Sequence, residues 1–405
     1  MPGQLPWTPY PGQQPGPGMP MAPPPRRRGL VWTVVGLVVV LAAAGVAYLL
    51  VRESTGDGPG EGSARDGGGC TGDYCVGGHP YVNACGVFDP SGVVSLIGSA
   101  GSGRLHVQET YADPLPRVED PARAAWTYGL TSSCHVSPED RDGAVFHSVT
   151  LELKQTANEA PVPRAAGRPL PGVDGAVVED LDGGARVHWR HRNISATLSV
   201  VWTNRKAAVP DTTMAGVVDT ITRGFVNPPS EPRGLGDLSE GGEQVVIDAC
   251  TVYTGADFQS ATKYVVNPTN VRRTYSTTAT SPLRTTCSRF TAPPNAGLPA
   301  PEGTTFLDGS MSPKVTVTKH PDPAAAKAEL DRNRERIDGA VEIPGIGDGA
   351  VFGVGSASHF TLRFTAGFHL VTVDCGLSNG NADWTAEDMR GRLEPLATSI
   401  AERMS

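Results

Sequence analysis

Residues 83–97 read NACGVFDPSGVVSLI, and residues 248–262 read DACTVYTGADFQSAT. Each sets a cysteine after a small residue, follows it with two apolar positions, and then opens a short helix. Repeats of this kind are the first thing to look for in a chain of 405 residues, because they set the fold's building unit. Working outward, the second cysteine of each copy comes at Cys134 (SSCHV) and Cys287 (TTCSRF). An alternating strand follows, HSVTLELKQ at 147–155 against PKVTVTKH at 313–320. Then LPGVDGAVVE (170–179) matches IPGIGDGAVFG (343–353), and ISATLSVVW (194–202) matches FHLVTVDC (368–375), with Trp202 opposite Cys375. Each copy closes with a helix, about 212–224 and 386–403. Copy two inserts one more helix over 321–338. Copy one has ANEAPVPRAAGR there, where Pro161 and Pro163 break a helix. Period-two strands joined by tight turns such as Thr365-Ala366-Gly367 predict an α+β fold. It consists of two tandem domains, each a twisted, mostly antiparallel sheet with helices packed on one face.

The copies bracket the rest of the chain. Residues 1–28 form a Pro/Gly-rich cytoplasmic tail that cannot build a core and has polyproline II character. Residues 29–51, GLVWTVVGLVVVLAAAGVAYLLV, carry no charge, and at about 1.5 Å per residue they are long enough to cross a bilayer. Arg26, Arg27 and Arg28 stand just before this span, so the positive-inside rule puts the N-terminus in the cytoplasm. The apolar run exceeds a signal-peptide core, which favours an uncleaved signal-anchor. The expected organisation is completed by a linker at 52–78, copy one at 79–226, a linker at 227–243 and copy two at 244–405.

All 42 acidic residues follow residue 52, against a formal net charge of −8, which argues against nucleic acid as a partner. Lysine is scarce and Ala, Gly, Pro and Val abound, a composition typical of high-GC bacterial genes. All seven cysteines (70, 75, 85, 134, 250, 287 and 375) lie beyond the span, where an oxidising compartment permits disulfides. Repeat equivalence suggests Cys85 with Cys134 and Cys250 with Cys287, each worth about 3–4 kcal/mol in the chain-entropy picture. Cys70 and Cys75 are placed to close a small loop, and Cys375 is left as a buried strand residue. Spacing alone leaves the connectivity open. A zinc site would need four ligands at suitable spacing, and CTGDYC stands without a second pair.

The two N/D-A-C starts (Cys85, Cys250), the second cysteines and the turns Pro171-Gly172-Val173-Asp174-Gly175-Ala176 and Pro344-Gly345-Ile346-Gly347-Asp348-Gly349-Ala350 carry a resemblance. Residues 79–405 resemble actinobacterial extracytoplasmic domains of the DUF3558 type. More distantly they resemble the sensor domains of mycobacterial receptor kinases. That resemblance implies an α+β domain, usually lipid-anchored, with no established enzymatic activity. This chain departs from it in having a membrane helix and two copies.

Catalytic motifs are weak. Ser260-Ala261-Thr262-Lys263 fits S-x-x-K, in which a lysine activates a serine, but the S-D-N and K-T-G companions are missing. Gly345–Ala350 fits G-x-G-x-x-A but lacks the following helix that a dinucleotide site requires, so it reads as a turn. His188 and His191 are three apart on a strand and face opposite sides. Asn193-Ile194-Ser195 is a glycosylation sequon with no weight in a bacterial chain. Arg332, Arg334 and Arg336 alternate with Glu329 and Glu335 as a solvated helix face, or else as a patch for anionic cell-wall polymers. No catalytic, cofactor-binding or metal-ligating residue is assigned and no cofactor is expected. The function expected is an extracytoplasmic sensor, or a ligand- or partner-binding protein, held in the cell membrane by a single span. The alternative is an envelope scaffold that tethers a cytoplasmic partner through the Pro-rich tail.

Overall fold

In the computed structural model the chain divides into two compact units, Met1–Gly68 and Gly69–Ser405. The structure describes residues 75–405, apart from 77, 89–104, 114–129, 139–145, 162–165, 203–208, 227, 229–245, 277–282, 295–297, 299, 307–310, 338, 357–358 and 378–383. The expected tail, membrane span and most of both linkers lie outside the described residues. Among those described, no helix is long and apolar enough to cross a membrane.

The first copy contributes β1 (Cys75–Val76), β2 (His79–Pro80), α1 (Ala84–Phe88), β3 (Leu105–Tyr111), β4 (Leu130–Pro138), β5 (Phe146–Gln155) and β6 (Arg168–Pro169). It continues with β7 (Val177–Leu181), β8 (Gly184–His191), β9 (Ile194–Trp202) and α2 (Asp211–Val226). The second contributes α3 (Ala249–Val252), α4 (Gly255–Thr262), β10 (Val266–Ser276), β11 (Arg284–Thr291), β12 (Met311–Lys319) and α5 (Pro323–Glu335). It ends with β13 (Val341–Ile343), β14 (Gly349–Ser356), β15 (His359–Ala366), β16 (His369–Leu377) and α6 (Ala386–Met404). The expected helix at 212–224, the strands at 147–155 and 313–320, and the closing helix at 386–403 all stand within a few residues of these bounds.

Helix ends follow side-chain chemistry. Asp322 caps α5 by accepting from Ala325 N at 2.8 Å, and Pro323 occupies the first turn. Thr254 with Asp257, and Thr385 with Asp388, form reciprocal capping boxes on α4 and α6. Among the described residues no helix stands between β5 and β6, as the prolines there require.

Among the described residues β1 and β2 pair with each other alone, and the other strands join into one sheet of 14, in the order β13-β14-β15-β16-β12-β11-β10-β3-β4-β5-β9-β8-β7-β6. Read from its centre, the order is the same in both directions. Thus β10 stands to one side of the centre as β3 does to the other, and β11 answers to β4, β12 to β5, and so on outward. The strand pairings are antiparallel. The two sheets expected for separate domains are therefore one hydrogen-bonded sheet, joined where β3 pairs β10 from Val271↔Tyr111 to Ser276↔His106. Two apolar cores persist on the same face. One lies under α1 and α2 and includes Leu151, Leu198, Val218 and Ile221. The other lies under α3, α4 and α6 and includes Phe258, Val315, Phe364 and Leu393.

Two details differ from the sequence reading. The register sets Cys375 opposite Pro313 and Leu198 at the place of Val373, so Cys375 answers to Val200 rather than Trp202. The slip of two residues keeps the inward face, and Cys375 is buried and free. Its thiol is pushed by burial up to about 12. Second, helices do not keep to one face. α5 packs on the opposite side of the sheet, where Leu330 meets Val351 and Leu370 in a small separate core. Its apolar stripe is too narrow to compete for the main core, so it rests on a face that is otherwise polar. Val76, within the stretch read as linker, is also buried, against Tyr81, Ala112 and Leu130. The Asn193 side chain donates to its carbonyl at 3.2 Å.

The seam between the halves is built from charge. Glu109 and Arg273 face each other directly across it. They also occupy equivalent positions, since Glu109 lies opposite Cys134 and Arg273 opposite Cys287. Identical halves would set like charges against each other here; divergence to an acid and a base makes the seam self-complementary. Arg273 donates to Glu109 and to Asp248. Asn83, which answers to Asp248, stands beside Glu109. Burial pushes the Glu109 carboxyl above the usual carboxylate range, against the pull of Arg273 and Asn83, and Asp248 adds to the rise. Nearby, Arg289 pairs with Asp113 and donates to the Tyr253 carbonyl at 2.9 Å.

Candidate functional site

α5 packs across β14, β15 and β16, to the side of β12 and β11. In that corner lies an open groove of about 710 Å³. Its floor is a grid laid out by register. One row runs Thr286, Thr316, Thr372, Arg363 across β11, β12, β16 and β15. A second row sets Arg284 beside Thr318 and Leu370, and a third sets Lys314 beside Asp374. Glu329, Arg332 and Asn333 of α5 form the wall, and His320 with Pro321 the lip.

The strand period explains these residues. In β12, Met311, Pro313, Val315 and Val317 turn to the main core, so Lys314, Thr316 and Thr318 must face the other way. The Thr286 and Thr316 hydroxyls are 3.2 Å apart. Asp374 accepts from Thr361 at 2.9 Å and lies 3.9 Å from Lys314. Arg332 is paired with Glu329 along its own helix. Arg363 is half-buried, and its Nε, itself closed to solvent, has no hydrogen-bond partner among the described residues. His320 is 9% exposed, and its Nε2 is likewise unpartnered. Burial pushes the His320 imidazole below its ordinary value and Arg332 adds to that, while Glu329 acts against it. The ring is therefore neutral near pH 7. Four cations against two carboxylates line the groove, together with four threonine hydroxyls. Such a lining combines a surplus of positive charge with uncharged hydrogen-bonding groups.

Apart from Arg332 and Glu329, which wall the groove, the residues singled out from sequence fall elsewhere. Cys85–Cys134 and Cys250–Cys287 are disulfides, each tying the first helix of its half to the sheet. Cys75 is also disulfide-bonded; Cys70, its expected partner, lies outside the described residues. Ser260 and Lys263 are both exposed, and Lys263 ends α4 in a left-handed conformation (φ 62°). Gly345–Ala350 is a turn leading into β14, with positive φ at Gly345, Gly347 and Gly349. His188 and His191 do lie on opposite faces of β8. His188 meets Thr197 at 3.2 Å, and His191 packs 6.0 Å from the Phe225 ring. Among the described residues no cluster of His, Cys, Asp and Glu has the form of a metal site. Of the basic run, Arg332 borders the groove, while Arg334 pairs with Glu342 away from it. Sequence reading missed Arg284, Lys314 and Arg363. The available signal was the polar, Thr-rich alternate positions of β11, β12 and β16, but nothing local says that α5 comes to rest beside them.

No family model matches the chain, and no curated protein matches it. Among solved structures, a likeness is found to the crystal structure of the di-domain ARO/CYC StfQ from the steffimycin biosynthetic pathway. The identity is 11%, over 80% of this chain and 93% of that one, with a TM-score of 0.13. A likeness of that size carries no argument about fold or activity.

Proposed function

We propose that the chain is a membrane-anchored extracytoplasmic sensor or ligand-binding protein of the bacterial cell envelope, and that its ligand is held, without transformation, in the groove beside α5. The observation that carries this reading is the groove itself. It gathers Arg284, Lys314 and Arg363, the His320 ring and four threonine hydroxyls around a single open volume. A concave site with a few convergent polar groups is the usual form of a binding pocket. The extracytoplasmic placement is supported by the apolar, uncharged 29–51 stretch after three arginines, and by two disulfides in the folded unit.

The test uses the oxidised full chain in detergent, screened by thermal shift against peptidoglycan fragments, lipids, envelope-active antibiotics and nucleotides. A ligand at about 100 times its Kd adds about 2.7 kcal/mol of apparent stability. The expected result is a stabilising ligand whose effect is lost in Arg363→Gln. Stabilisation that is indifferent to groove substitutions overturns the site, and a flat panel overturns the reading. Protease added to spheroplasts should digest the C-terminal unit and spare an N-terminal epitope; the opposite pattern refutes the topology.

A further inference from the structure

We infer that the ligand of the α5 groove carries a phosphate group, drawn there by the basic lining residues Arg284, Lys314 and Arg363; this rests on the groove being the binding site. The lining holds four cations and two carboxylates, a surplus of two positive charges. A phosphate monoester carries about −1.5 to −2 at neutral pH and presents three acceptor oxygens, so it matches both the charge and the donor set. A neutral ligand would leave the cations uncompensated, and a single carboxylate would balance only half of them. Arg363 lines the groove, and its planar guanidinium is the donor group that suits phosphate oxygens. The neutral His320 and the threonines Thr286, Thr316, Thr318 and Thr372 supply uncharged donors around it.

The other half of the molecule provides an internal control, because the repeat puts an equivalent residue at each position. Register places Thr131 where Arg284 stands, Thr150 where Lys314 stands, Glu152 where Thr316 stands and His188 where Arg363 stands. His188 is already engaged, with Thr197 at 3.2 Å and Glu179 at 3.5 Å. The sheet therefore does not require cations at these places. They occur only in the half where α5 builds a wall beside them, so the positive floor and the wall coincide.

The experiment titrates the oxidised full chain in detergent with inorganic phosphate, glycerol phosphate and diglycerol phosphate, with acetate and neutral sugars as controls, at ionic strength matched with chloride. Thermal shift and ³¹P line broadening report binding. Phosphate or its esters should bind saturably, and both Arg363→Gln and Lys314→Gln should weaken them at least tenfold. Lys314 is half-exposed on the strand surface, so its variant tests the site even where Arg363→Gln disturbs folding. The monoester should bind more tightly than the singly charged diester, and the reverse order overturns the charge match. Absence of saturable phosphate binding, or binding unchanged in both variants, overturns the inference. If neutral sugars or acetate bind instead and lose affinity in the variants, the groove stands as the site and only the phosphate assignment fails. If no ligand responds to either variant, both fail.

Discussion

Replacing Arg273 by Met tests how the two halves are held together. Arg273 is 5% exposed, its partner Glu109 is 2% exposed, and Asp248 is 12% exposed. Removing the guanidinium strands two carboxylates on a buried seam with no cation between them. Breaking a buried ion pair from one side costs about 3–5 kcal/mol, a large share of the 5–15 kcal/mol typical of a folded domain. Glu109→Leu is the informative contrast. It leaves Arg273 with Asp248 still in place, so the loss should be nearer the 1–3 kcal/mol of a charged hydrogen bond. The double variant should cost less than the two singles added, because the stranded Glu109 charge is then gone. A second signature is pH. The Arg273→Met variant should recover part of its loss as pH falls, since burial already raises the Glu109 carboxyl and protonation removes the unpaired charge. The assay is urea unfolding of the oxidised protein at pH 7.5 and 5.5. Equal losses for the two single variants, or simple additivity in the double, refute the reasoning.

Three further outcomes are expected. Cys250→Ala with Cys287→Ala opens a loop of sequence separation 37 and should lower stability by about 4 kcal/mol on the chain-entropy estimate; a loss under about 1 kcal/mol by denaturant titration would contradict it. Gly345→Ala meets open space and should cost only the left-handed backbone penalty of about 1–2 kcal/mol. Gly347→Ala would put a Cβ 2.1 Å from the Thr365 carbonyl that accepts from Asp348 N, and should cost about 2–4 kcal/mol; equal thermal shifts would refute the contrast. Burial holds His369 below its ordinary value, with Lys319 and His320 adding to it and the Ala366 backbone opposing. The unfolded chain therefore takes up the proton first, and His369's contribution is full above about pH 6.5 and declines as pH falls through it. His369→Gln should flatten the stability profile between pH 7 and 5.5, and an unchanged slope would refute this.

Much of the architecture was already written in local sequence. Period-two alternation in HSVTLELKQ and PKVTVTKH marks strands because one face must be apolar. Asp322-Pro323 and Thr385 with Asp388 mark helix starts because they satisfy orphan amides. The paired N/D-A-C motifs led to Cys85–Cys134 and Cys250–Cys287, since equivalent positions in a repeat occupy equivalent places in space. What the sequence could not determine by itself was how the copies meet. β3 and β10 join through backbone hydrogen bonds, which every strand edge offers and no side-chain pattern announces. Glu109 and Arg273 become legible as partners only once the register sets them face to face. The groove has the same origin. Arg284, Lys314 and Arg363 lie far apart in the chain and look like ordinary solvated strand residues. Only the sheet order brings β11, β12, β16 and β15 side by side, and only the packing of α5 on the outer face turns their outward row into a walled site. Periodicity records which way each residue faces; long-range pairing, whose partners are set by the whole fold, decides what it faces.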